Sequence, residues 1–249
     1  MSGLGHPRLH LRTTTSTNDR ARELAAGGAP HGTTVTAAAQ SAGRGRQGRT
    51  WAAPAGHALL VSVVVRGRGE SFGLLPLVAA VAVAEVAGPE ARIKWPNDVL
   101  LPGPFPGAPG TDSEAGPGRK VAGILCEGRP QDGWAVVGVG VNVAVRLEDL
   151  PPELHATAAT LGREPGDVER VLHDLLDTLD RALALPTDDL LEAWRARDGL
   201  RGRTVTWSGG TGTAAGIDGV GRLVVELTGG GRTALDSGEV HLGGLGTAR

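Results

Sequence analysis

Residues 40–51 read Gln40-Ser-Ala-Gly-Arg-Gly-Arg-Gln-Gly-Arg-Thr-Trp51, with Arg44, Arg46 and Arg49 interleaved with Gly43, Gly45 and Gly48. Apolar, strand-like runs flank this stretch, Thr33 to Ala39 before it and His57 to Arg66 after it. That much charge and backbone freedom does not belong in a packed core. It reads as a loop joining two strands. Glycine lets backbone N–H groups approach a ligand closely because no Cβ intervenes. Guanidinium groups between the glycines add fixed positive charge and forked donors, suited to phosphate or carboxylate. Taken alone, the stretch is also compatible with a solvated surface loop, an Arg-Gly segment on nucleic acid phosphates, or a linker.

Composition narrows these readings. The 249 residues suit one sizeable domain and a small one, and 40% are hydrophobic, enough to build a core. The formal net charge of −2 gives no support to a general nucleic-acid or membrane binder, so any basic function is local. Cys126 is the single cysteine, which excludes a disulfide framework and a cysteine-based zinc site. The seven histidines do not gather with carboxylates, leaving any metal ligands unknown. No signal-peptide core and no span-length apolar run is visible, so the chain reads as cytoplasmic, with no membrane partner.

Rare residues mark the places to inspect. Of 25 Lys plus Arg only Lys94 and Lys120 are lysine, and the only asparagines are Asn18, Asn97 and Asn142. They fall in STND (16–19), KWPND (94–98), RKVAGIL (119–125) and GVGVNV (138–143). Ser16, Thr17 and Asn18 precede a short helical pattern, Arg20 to Ala26, and are expected to cap it. The same groups could instead face a polar ligand. Phe72 to Ala87 is an apolar helix. Arg92 to Asp98 is a strand entering a proline turn, where Lys94 and Asp98 are candidates for a structural ion pair. Leu101 to Gly118 is a Pro/Gly-rich insertion expected to be flexible. Lys120–Glu127 and Gly133–Val143 pair as a hairpin; Lys120, opening its strand, is either a solvated strand end or aims its ammonium into room left by Gly123 and Gly140. Cys126 is expected to be a small core residue.

Helical leucine spacing covers Val168 to Leu185, and a second helix runs from Asp188 to Arg197. Five short glycine-separated strands follow between Thr204 and Leu242, a small barrel. The expected division is therefore a larger domain over 1–200 and a barrel over 201–249. GVGVNV lacks the third glycine and the helix of a dinucleotide fingerprint.

The ordered set STN, GRGRQGRTW, KWPND, KVAGIL and GVGVN resembles the biotin protein ligases over nearly the whole chain. The resemblance implies an α+β fold: a mixed β-sheet with helices on one face, followed by a small SH3-like β-barrel. It implies an ATP-dependent ligase that makes biotinyl-5'-AMP from biotin and ATP with Mg2+, then biotinylates a lysine of a biotin carboxyl carrier protein. By the resemblance, Ser16, Thr17, Asn18, Gln40, Gly43, Arg44, Gly45, Lys120 and Gly123 hold biotin. Arg46, Arg49, Trp51, Lys94, Asn97, Asp98 and Asn142 serve ATP, Asn142 on the adenine, while Arg49 and Trp51 order the loop. Arg44, Arg46 and Lys120 are the catalytic candidates, because two anions must be brought together and their repulsion neutralised. The loop is expected to be mobile until ligand closes it.

Some members of the family carry an N-terminal DNA-binding domain. Here STN begins at residue 16, so no DNA partner is expected. A homodimer is compatible with these readings. A lipoate ligase of the same fold is the near alternative and a non-catalytic Arg-Gly RNA binder the remote one. Aromatic residues are only 3%, too few for base stacking.

Overall fold

In the computed structural model, residues 3–67, 72–102, 118–236 and 240–242 are described. Most of the Pro/Gly-rich insertion falls outside them. Seven strands form one mixed sheet: β1 (Arg8–Leu11), β2 (Thr34–Ala37), β3 (Ala58–Arg66), β4 (Arg92–Lys94), β5 (Asp98–Leu101), β6 (Arg119–Arg129) and β7 (Trp134–Asn142). Their order is β1-β2-β3-β7-β6-β5-β4. Only β1 and β2 run parallel; every other neighbouring pair is antiparallel.

Period-two alternation on β3 and β7 sorts the two faces. Leu59, Val61, Val63 and Val65, with Val137, Val139 and Val141, enter the main core against α2 (Leu75–Ala87), α3 (Val168–Leu183) and α4 (Thr187–Arg195). Helix α2 is apolar except for exposed Glu85 and lies between the sheet and α3. Fully burying one such Leu or Val contributes about 1.5–3 kcal/mol. The opposite face carries α1 (Thr17–Ala26) at one end, where Ala21 and Ala25 pack on Val35, Val64 and Val136. Arg66 seats the end of α1 by donating to the carbonyls of Ala25 (2.8 Å) and Ala29 (2.7 Å). The rest of that face is open and forms the site.

The last five strands, β8 (Thr204–Trp207), β9 (Gly210–Ile217), β10 (Leu223–Leu227), β11 (Arg232–Leu235) and β12 (His241–Leu242), make an antiparallel sheet in the order β11-β10-β9-β8-β12. This is the SH3-like unit. Val205, Ala214, Ile217, Leu223 and Val225 join the main core. Buried Trp95 ties the two sheets together by donating from Nε1 to the Gly221 carbonyl at 3.0 Å.

Two strands were not anticipated. β1 is short and alternates polar and apolar residues, so it lacks an apolar run; what defines it is parallel pairing with β2. β5 is four residues beside the insertion, and its pairing with β4 and β6 defines it.

Candidate active site

The 40–51 loop is a folded hairpin. Trp51 N donates to the Gly43 carbonyl (3.0 Å), Gly45 N to the Arg49 carbonyl (2.7 Å), and a turn of 3₁₀ helix over Arg46–Gly48 makes the tip. At that tip Gln47 (φ 54°) and Gly48 (φ 76°) both take left-handed conformations. Gly43 is needed by the loop itself. A Cβ there would stand 2.4 Å from the Trp51 carbonyl oxygen, so the glycine lets the two arms of the hairpin meet.

One end of the site is built on the start of α1. Ser16 occupies the N-cap position, but its side chain makes no capping bond, contrary to the capping expected of it. The carboxamide of Gln40, from the loop, accepts from Thr17 N (2.8 Å) and Thr17 Oγ1 (3.1 Å) instead. That leaves the buried Ser16 hydroxyl on the cavity wall. Asn18 donates to the Leu125 carbonyl (3.1 Å) and to Glu127 Oε2 (2.9 Å). Ser62 Oγ, on β3, offers its one proton to Asn18 Oδ1 (2.6 Å) or Thr17 Oγ1 (2.8 Å). All this is possible because Gly138 stands beneath Asn18. A Cβ at Gly138 would lie 2.0 Å from Asn18 Oδ1.

The other end is cationic. Lys120 and Gly123 are three apart on β6 and in a regular strand would face opposite sides. The register shift between Val99 and Leu100 leaves Val121 as the extra residue, which puts Lys120 and Gly123 on the same face. Lys120 Nζ lies 2.6 Å from Asp98 Oδ1, an ion pair rather than an aligned hydrogen bond, and 5.6 Å from the Trp51 ring centroid. The room over Gly140 expected for a ligand is taken by that indole, since a Cβ at Gly140 would stand 2.5 Å from Trp51 Cε2. Asn97 holds the loop tip by accepting from Arg46 Nη1 (3.2 Å), and is itself fixed by donating to the Ile124 carbonyl (3.0 Å). Asn142 donates to the Ala159 carbonyl at 2.9 Å. Its Oδ1 and Trp51 Nε1 are buried without partners.

These groups line one cavity of about 540 Å³. It brings together Ser16, Thr17, Asn18, Gln40, Arg44, Gly45, Arg46, Arg49, Trp51, Lys94, Asn97, Asp98, Lys120, Gly123 and Asn142; of the residues assigned to biotin or ATP from the sequence, Gly43 alone is not on its wall. Leu60, Leu150, Leu154 and Ala158 supply an apolar side. Arg44, expected to grip an anion, is engaged by protein carboxylates: Nη1 to Asp19 Oδ1 at 2.7 Å and Nη2 to Glu127 Oε1 at 3.1 Å. The Asp19 hydrogen bond, aided by the Glu127 charge, raises the Arg44 pKa.

Sequence reading passed over Ser62, Gly138, Asp19 and Glu127, and also His241 and Leu242, which bring β12 to the cavity rim. Gly138 and Gly140 carried a signal. Glycines at i and i+2 in an otherwise valine-rich strand clear one face of it. Cys126 packs against the core, as expected of a small apolar residue, and burial pushes its thiol up to about 12.

The profile of the Biotin/lipoate A/B protein ligase family matches residues 10–143. The biotin–[acetyl-CoA-carboxylase] ligase of Paracoccus denitrificans is 35% identical, over 94% of this chain and 100% of that protein. The bifunctional ligase/repressor BirA of Bacillus subtilis is 32% identical, over 96% of this chain and 75% of that protein. Among solved structures, biotin protein ligase from Aquifex aeolicus in complex with biotin and ATP superposes with a TM-score of 0.73 at 25% identity, covering 95% of this chain and 98% of that one. With more than half the chain matched by the profile and two relatives above 30% identity over most of this chain, the protein is a member of the biotin/lipoate A/B protein ligase family.

Proposed function

We propose that this chain is a biotin protein ligase: it joins biotin to AMP at the expense of ATP and then biotinylates a lysine of a biotin carboxyl carrier domain. The observation that carries this reading is the division of one cavity into a neutral, hydrogen-bonding end and a cationic end. Ser16, Thr17, Asn18 and Gln40 surround the first; Lys120 and Arg46 supply the second. A ureido ring, with donors and acceptors, suits the first end. The dithiolane of lipoate offers no such groups, so the same end favours biotin over lipoate.

In the first half-reaction a biotin carboxylate oxygen bonds to the α-phosphorus as the bond to the β-phosphate oxygen breaks, releasing pyrophosphate. Lys120 counters the charge on the carboxylate and the phosphoryl oxygens, which lowers repulsion between two anions. Arg46, held by Asn97, adds a second cation from the loop tip. Orphaned Asn142 Oδ1 is an acceptor waiting for a donor, and the adenine amino group supplies one. In the second half-reaction the acceptor amine attacks the acyl carbon, AMP leaves, and the amine gives up its proton. The loop over the cavity limits hydrolysis of the anhydride by water.

Mg2+ accompanies the triphosphate in this reading. Among the described residues no three His, Cys, Asp or Glu side chains gather into a cage. Asp98, the carboxylate on the cavity wall among the described residues, would be the protein's contribution to a cation otherwise held by phosphate oxygens and water. ATP–pyrophosphate exchange tests the reading: it is expected to depend on biotin and not to be supported by lipoate at equal concentration. Exchange driven by lipoate alone would assign the other branch of the family.

A further inference from the structure

The loop does not hang from its strands alone. The first turn of α1 grips it twice, through Thr17 on Gln40 and through Asp19 on Arg44. Glu127 on β6 completes the second grip. Its Oε1 meets Arg44 Nη2 at 3.1 Å while its Oε2 accepts from Asn18 Nδ2 at 2.9 Å. Arg22, one turn along α1, places Nη1 3.6 Å from both Asp19 Oδ1 and Glu127 Oε1, so two carboxylates face two guanidiniums and the cluster is close to neutral. Neither carboxylate lines the cavity, and neither is needed to touch a substrate.

We propose that Asp19 and Glu127 are positioning residues for the ligase reaction. They seat Arg44, and with it the 40–51 loop, on the first turn of α1 before any ligand arrives, and Glu127 simultaneously aims Asn18 at the head-group end. The proposal rests on the reading that this end receives biotin. An arginine bound by two carboxylates orders the loop base in advance, so less conformational entropy is lost when substrate binds. It also assigns the loop's arginines different work: Arg44 fastens the hairpin, and Arg46 at its tip faces the phosphates. The cluster is partly exposed, so each pair is worth little alone and the network acts through summation.

Two substitutions test this in the full-length chain. Asp19→Asn removes one charge from the grip. Glu127→Gln removes the other while leaving an oxygen to accept from Asn18. Trypsin cleavage after Arg44, Arg46 and Arg49, measured without any ligand, is expected to quicken about threefold in each single variant and more in the double. The KM for biotin is expected to rise in step, with kcat and the thermal midpoint little changed, and Asp19→Glu is expected to restore the parental cleavage rate. Unchanged loop cleavage and unchanged biotin KM in the double variant would overturn the proposal. Because the cleavage readout contains no substrate, it reports on the grip even if biotin were the wrong ligand, whereas failed biotin-dependent exchange in the parent protein would sink the functional reading alone.

Discussion

Lys120 Nζ and the Asp98 carboxylate meet at 2.6 Å across the β5–β6 ladder, on the one stretch of β6 where a register shift turns Lys120 toward the cavity. The ammonium is thereby held at the wall, beside Gly123, where a Cβ would come within 3.1 Å of it. Lys120→Ala is expected to lower the rate of biotin-dependent exchange by about 10²–10³-fold. Lys120→Arg is not expected to rescue it, because a planar fork does not replace a compact ammonium in that space. Single-turnover formation of the adenylate is the measurement.

Gly138→Ala sets a second expectation. Its methyl would fall on Asn18 Oδ1, forcing Asn18 off Ser62, Leu125 and Glu127. Leaving such a buried amide unpaired costs about 1–3 kcal/mol. The KM for biotin is expected to rise about tenfold or more, with the far-ultraviolet circular dichroism unchanged. Gly140→Ala, which displaces the Trp51 ring instead, is expected to act on the KM for ATP.

How far the sequence was readable follows from these same positions. The long apolar strands β3 and β7 announce themselves by valine-rich runs, β6 by the apolar stretch Val121–Cys126, and the loop by its alternating Gly and Arg. Lys120 on β6 and Asn142 on β7 were legible because Lys and Asn are rare in this chain. Ser62, Asp19 and Glu127 were not, since a serine in an apolar strand and acids in a helix or strand carry no local signature. What selects them is register: β6 pairs Leu125 with Gly138, which brings Glu127 and Asn18 to the same end of the sheet. His241 joins the rim through the packing of β12 on β8, a tertiary relationship no local pattern encodes. The bulge before Ala122 is likewise a property of pairing.

Cys126 is expected to resist alkylation. With its thiol near 12, only about 10⁻⁴ of it is thiolate around pH 8, and thiolate is the reactive form. Iodoacetamide labelling of the native protein is expected to be far slower than of the urea-unfolded chain. Equal rates would contradict the packing of this partly buried side chain against the core.

Asp198 supplies a pH expectation. Its Oδ1 accepts from Leu200 N (2.8 Å) and Arg201 N (3.2 Å), while Oδ2 is buried without a partner. Burial raises its pKa above the ordinary 3.8, outweighing those two hydrogen bonds. The native state then holds this proton more tightly than the unfolded chain. Between the unfolded and folded pKa values this group therefore makes stability fall as pH rises, and the penalty is complete above the folded value. Asp198→Asn, neutral throughout, is expected to raise the melting temperature at pH 7 and to lose that advantage below pH 4. Thermal melts across this range are the check.

In the proposed reaction one cavity joins biotin to AMP between its neutral and cationic ends. The most direct measurement is mass spectrometry of the small molecules present after stoichiometric protein is mixed with biotin, ATP and Mg2+. Biotinyl-5'-AMP and pyrophosphate formed in equal amounts, and lost together in Lys120→Ala, is the predicted result. Intact biotin and ATP after prolonged incubation of the folded parent protein would contradict it.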